Sequence, residues 1–231
     1  MEADRLAGIV AELSAGDDGR RSSRRLCEVT TDVIGVSGAG VMLMSREVPD
    51  GSLCTTNAVS AAIEELQFTL GEGPCVDAHQ HDIVVLEPDL ADPRVPRWLA
   101  FTPKALEAGV RAVFGFPLRV GAARLGALNL YQDRPGPLSD DQHADALVMA
   151  DLVAQWVLNV QADASAGALA EELERDGDFH SVVHNAAGIV SVQLGVGATE
   201  AMIRLRAYAF SNERQLGEVA QDLVARKLRF G

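Results

Sequence analysis

The feature that most constrains this chain is a change of hydrophobic period partway along it. Residues 112–120 and 125–131 are two strand-length runs of strand-forming residues, joined by a turn at 121–124, which is the pattern of a β-hairpin. Upstream, residues 39–45 and 53–59 flank an Asp50-Gly51 turn signal and predict a second hairpin, and residues 83–87 predict one more buried strand. From Ser139 onward the apolar residues recur only at helical spacing, as Leu147, Val148, Leu152, Val153, Trp156, Val157 and Val160 do. Strands confined to one stretch, with helices on either side, define an α+β chain.

Helical spacing also predicts helices over 4–15, where Leu6, Ile9, Val10 and Leu13 share a face, over 22–34, over 97–108, and over a short segment from Ser60 to Gln67 capped by Ser60. Ser139, followed by Asp140 and Asp141, caps a long helix over 139–161, and residues 164–184 continue as helix formers. These two segments read as an amphipathic connector of the kind that pairs with its own copy in a homodimer. Three short helices follow, at 181–194, 199–210 and 215–228. Segments of this size bury a core only by packing on one another, with Ala201, Leu205, Tyr208 and Ala209 as one inward stripe and Leu216, Val219, Ala220, Leu223 and Val224 as another. The domain reading is therefore 1–160, a connector at 161–180, and 181–231.

Charge divides the chain at the same place. Of 20 Lys and Arg and 33 Asp and Glu, residues 181–231 hold 6 and 4, a balance of +2, whereas residues 1–180 hold 14 and 29, a balance of −15. The acidic part repels polyanions, and the last segment permits a nucleic-acid partner without requiring one. The three cysteines, Cys27, Cys54 and Cys75, are far apart and lack C-x-x-C spacing, so reduced, buried thiols are expected in place of a disulfide framework or zinc site. With no signal-peptide pattern and no apolar run long enough to span a bilayer, a cytoplasmic location without membrane contact is expected.

Chemistry-bearing motifs are sparse. The Gly-x-Gly turns at 38–40 and 71–73 lack the third glycine of a dinucleotide loop, and Ser37 lacks the closing glycine of a nucleophile elbow. His79 and His81 fall on one face of an expected strand, and His180 and His184 on one face of a helix, but neither pair has a third ligand nearby in sequence. No metal site is read there. Glu64-Glu65, Asp140-Asp141 and Glu171-Glu172 read as solvated neighbours on helices. No nucleophile, base and orienter cluster emerges, so the chain is not read as an enzyme.

Two resemblances cover nearly the whole sequence. Residues 70–75, Leu-Gly-Glu-Gly-Pro-Cys, with Phe116-Pro117-Leu118 and residues 125–131, Leu-Gly-Ala-Leu-Asn-Leu-Tyr, resemble a GAF sensor domain. His184-Asn185-Ala186-Ala187-Gly188-Ile189-Val190, then residues 205–210, Leu-Arg-Ala-Tyr-Ala-Phe, and residues 216–220, Leu-Gly-Glu-Val-Ala, resemble the ANTAR family of transcription-antitermination regulators in order and spacing. Ala187 stands where that family often has lysine.

The resemblances imply a GAF-like antiparallel sheet flanked by helices, a helical connector, and a three-helix ANTAR bundle that binds paired short RNA stem-loops as a dimer, favouring an antiterminator hairpin over a terminator. They also imply a small-molecule ligand of unknown identity in the GAF-like pocket; no specific cofactor is legible. Polar side chains off the apolar stripes are the expected RNA contacts: Asn185, Ser191, Arg206, Ser211, Asn212 and Arg214. Ala186 and Gly188 read as sites of close helix approach, and Tyr208 as core. The competing reading is a protein-interaction adaptor without direct RNA binding.

Overall fold

The computed structural model describes residues 19–45, 48–93, 96–163 and 178–231. Its centre is a five-stranded antiparallel sheet in the order β2-β1-β5-β4-β3, with β1 Gly38–Ser45, β2 Val48–Thr55, β3 Val85–Glu87, β4 Ala112–Val120 and β5 Ala123–Gln132. Side chains alternate across it as a pleat demands. Ala39, Val41, Leu43, Phe114, Phe116, Leu118, Leu128 and Leu130 face one core, whereas Met42, Met44, Val113, Ala127 and Tyr131 face the other.

The first core is closed by α1 (Gly19–Ile34) and α5 (Asp140–Asp163), through Leu26, Val29, Met149, Val153 and Val157. Val153, Val157, Leu152 and Trp156 of the α5 stripe are thus spent on the sheet, while Leu147 stays exposed. Its start is a capping box, in which Gln142 N donates to Ser139 Oγ at 3.2 Å and Ser139 N to Gln142 Oε1 at 3.0 Å. On the opposite face lie α2 (Ala58–Leu70) and α3 (Pro74–His81), with α4 (Phe101–Glu107) beside them. A Cβ on Gly115 of β4 would lie 2.5 Å from the Pro74 carbonyl, so the absence of a side chain lets α3 settle directly on the sheet.

Four expectations change. Asp50-Gly51 lies inside β2, with Gly51 opposite Leu43, in a β1-β2 pair that carries two register shifts. The cap of α2 is Asn57, whose side chain accepts from Val59 N and Ser60 N while the Ser60 hydroxyl accepts from Asn57 N, so Ser60 is the reciprocal partner and not the cap. His79 and His81 lie on helix α3, where residues two apart do not share a face. Cys27 and Cys54 form a disulfide, since the 27-residue separation folds back and packs α1 against β2; Cys75 alone is a free, buried thiol.

The helices expected over 4–15 and 164–177 lie outside the described residues. Beyond them α6 (Asp178–Leu194), α7 (Ala198–Ser211) and α8 (Leu216–Val224) form a three-helix unit around Val183, Ala186, Val190, Leu205, Val219 and Leu223. This unit docks on the outer face of α2, and one apolar cluster runs from the sheet through Phe68 into the bundle.

Candidate functional site

Helix α2 carries one set of polar side chains toward the sheet and meets the bundle on its other side. Toward the sheet, Glu64 is fully enclosed between α2 and β5. Its Oε1 accepts from Asn129 Nδ2 at 2.6 Å, and its Oε2 meets no donor among the described residues. A Cβ on Gly40 would lie 2.5 Å from Oε1, so the strand beneath must be glycine for the carboxyl to fit. Burial pushes the Glu64 pKa up to about 8, against the opposing pull of the Asn129 hydrogen bond, so near neutrality the group is mostly a neutral acid.

The surroundings are equally polar and equally short of partners. Gln67 Oε1 accepts from Cys75 N at 2.8 Å, while Gln67 Nε2 and Asn129 Oδ1 stay unpaired. The Cys75 thiol is pushed well above its ordinary range, first by burial and then by the Glu64 charge. Tyr131 closes the end by donating its hydroxyl to Asn57 Oδ1 at 2.8 Å. The cavity bounded by Gly40, Glu64, Pro74, Asn129 and Tyr131 measures about 10 Å³, room for one water at most. Two of these unsatisfied atoms, Glu64 Oε2 and Asn129 Oδ1, belong to residues lining the void, and such buried polar atoms without partners are uncommon in a folded core.

The outer side of α2 meets the bundle through charged and aromatic groups. Arg206 Nη2 on α7 donates to the Phe68 carbonyl, with the guanidinium 5.9 Å above the Phe68 ring. Burial holds its pKa down at about 10. The helix ends here at Gly71, in the left-handed region at φ 66°, where a Cβ would come 2.8 Å from Arg206 Nη1. His180 on α6 stacks on Phe68 at 4.0 Å and bonds Glu65 Oε2 at 3.0 Å, and His184 Nε2 meets the Asp50 carbonyl at 2.9 Å. A cleft of about 1130 Å³, lined by Leu66, Lys104, Arg206, Phe210 and Arg214 among others, runs along the seam.

These positions alter several sequence readings. Glu64-Glu65 is not a solvated pair: the 100° between helical neighbours sends Glu64 into the core and Glu65 to the seam. The signal lay in the Ile63, Gln67 and Phe68 stripe beside Glu64, and in Asn129 set between Leu128 and Leu130. Of the six expected RNA contacts, Arg206 is half-buried against Phe68, and Arg214 pairs with Asp222 at 2.7 Å, which raises its pKa. Ser191 Oγ donates to the Val196 carbonyl, and Ser211 Oγ and Asn212 Nδ2 donate to the Tyr208 carbonyl at the end of α7. Asn185 lines the groove between α6 and the end of α8, whereas Arg206, Ser211 and Arg214 line the cleft along the seam. Tyr208 is half-buried against Phe230 at 5.1 Å. Ala186 and Ala187 are buried, but Gly188 is exposed and makes no close helix approach.

The sheet order and the enclosing helices are those of a signal-sensing fold, and the GAF family model matches residues 18–157. The chain belongs to the GAF domain family. At the level of fold it is similar to the GAF domain of a phosphoenolpyruvate-protein phosphotransferase from Coxiella burnetii, at 13% identity and a TM-score of 0.55 over 69% of this chain and 94% of that one. The corresponding domain from Acinetobacter, at 14% identity, 70% and 96% coverage and a TM-score of 0.55, is similar too. So is a domain of a two-component sensor histidine kinase protein from Sinorhizobium meliloti 1021, at 13% identity, 64% and 96% coverage and a TM-score of 0.52. Comparison with curated protein sequences finds no match. Among the described residues no single helix is long and apolar enough to cross a membrane.

Proposed function

We propose that the protein is a signal-responsive regulator in which a small polar ligand at the Glu64–Asn129–Gln67 site controls a C-terminal bundle that binds paired RNA stem-loops in the manner of ANTAR antitermination proteins. The observation that carries the gating half is the double use of α2, whose one face lines the cavity and whose last turn receives Arg206 from the bundle. A ligand too large for the closed cavity lifts α2, shifts the Phe68 carbonyl and loosens the bundle's seat. A population shift follows only from a ligand that binds the lifted state better than the closed one. Support for RNA as the output comes from the three ordered sequence pieces, each on its own helix of the unit, and from the local change of charge sign. Dimer formation, with the copy supplying the second stem-loop site, belongs to the same proposal, as does a cytoplasmic place of action.

The test is binding of the full chain to an RNA carrying two hexaloop stems. With about five phosphates contacted, log affinity falls with log salt at a slope near −3.5. Absence of saturable binding, together with stoichiometric co-purification of a protein partner, would establish the adaptor reading instead.

A further inference from the structure

The groove between α6 and the C-terminal end of α8 joins Asn185 to residues that sequence reading did not single out as RNA contacts. Its volume is about 800 Å³. Asn185, Gly188 and Val192 present one wall from a single face of α6, and Val224, Arg226 and Arg229 present the other. The wall holds its shape because Phe230 N donates to Gln193 Oε1 at 2.8 Å and Phe230 packs on Tyr208, which ties the end of the chain back to the bundle.

Three features single it out. No acidic residue lines the groove, in a chain with a net charge of −13. Neither Arg226 nor Arg229 takes part in an ion pair among the described residues, unlike Arg204 and Arg214 of the same unit. Gly188 sits in the middle of α6, where glycine destabilises a helix relative to alanine, yet a Cβ there would meet nothing within 4 Å. Packing among the described residues does not account for that glycine. Bare helix backbone beside an 84% exposed Val192 is a surface on which a flat ring can lie close.

We infer that the α6–α8 groove is the RNA-binding site of the bundle, taking an unpaired loop with Arg226 and Arg229 on its phosphates and Asn185 on a base edge over Gly188. This rests on the regulator reading above and moves its contact surface away from Arg206. Charge favours a polyanion here, and the asparagine amide, which can both donate and accept, matches a base edge.

The decisive measurement is fluorescence anisotropy of the full chain with two RNAs, one carrying paired hexaloop stems and one a blunt duplex of equal length. The double variant Arg226→Ala/Arg229→Ala is expected to weaken hexaloop binding at least tenfold and to make the salt slope shallower by about 1.4, two phosphate contacts' worth. Gly188→Gln, which fills the groove from an unobstructed position, is expected to weaken hexaloop binding with helical content by circular dichroism unchanged. Wild-type binding that survives in both variants overturns the groove assignment and leaves the regulator reading standing. Failure of the wild type to bind either RNA overturns the regulator reading and the assignment with it. A drop in molar mass caused by Gly188→Gln without RNA shows the groove to be occupied by a second copy and likewise overturns the assignment.

Discussion

At the scale of single residues, the buried Glu64 and the half-buried Arg206 are two ionisable groups that face opposite sides of one helix. The folded pKa of Glu64, about 8, lies above the 4.5 of the free group. The folded state therefore binds more protons than the unfolded one between those values. Stability contributed by the protonated form is fully present below about pH 4.5 and is lost as pH rises through 8, at a slope of up to about 1.4 kcal/mol per pH unit. Thermal melts between pH 5 and 8 are expected to show this decline in the wild type and to lose it in Glu64→Gln; parallel curves would refute it. Arg206→Ala removes the donor to the Phe68 carbonyl, a change of about 1–3 kcal/mol. Amide hydrogen exchange is expected to accelerate in α7 while β4 and β5 keep their protection. Neither role was legible beforehand. Charged residues are read as solvated by default, and only the tertiary fold shows that Glu64 looks inward over Gly40 while Arg206 reaches a helix end far away in sequence.

At the scale of elements, helices and the β4–β5 hairpin were readable from spacing because their signals are local: period, cap residues, a glycine turn. The first hairpin was misread, since Asp50-Gly51 has the composition of a turn but is held in β2 by the bulged register with β1. The Cys27–Cys54 bond was invisible for the same kind of reason, because pairing depends on where α1 and β2 meet. That link joins two elements on the sheet's β2 edge, and its reduction is expected to lower stability by roughly 2–4 kcal/mol. At about 2–4 °C per kcal/mol for a chain of this size, a reductant titration followed by calorimetry reads it directly, and an unchanged melting temperature would dismiss it. Asn57→Ala strips the cap of α2 and with it the bonds from Tyr131 and to the Ser37 carbonyl. A loss of about 1–2 kcal/mol is expected by chemical denaturation.

At the scale of the whole molecule, the sensor and the bundle share a continuous apolar cluster, so they are expected to unfold as one transition. Arg206→Ala should split that transition by loosening the bundle first, which differential scanning calorimetry resolves. Composition foreshadowed the division, through the change of charge sign at about residue 181, but not the docking, which depends on the aromatic face of Phe68 meeting His180 and His184. Helix α2 is engaged on two faces, while Ala58, Ala61 and Ala62 stay exposed. Ile63, Glu64, Gln67 and Phe68 are all buried, and Gly71 at its end is fixed both by its φ and by Arg206. Its sequence must satisfy a sensor core, a polar cavity and a docking seam at once. In a saturation library selected for folded, responsive protein, this helix is where substitutions have the least room to drift, and where a change of ligand preference would most often arrive with a change in output strength.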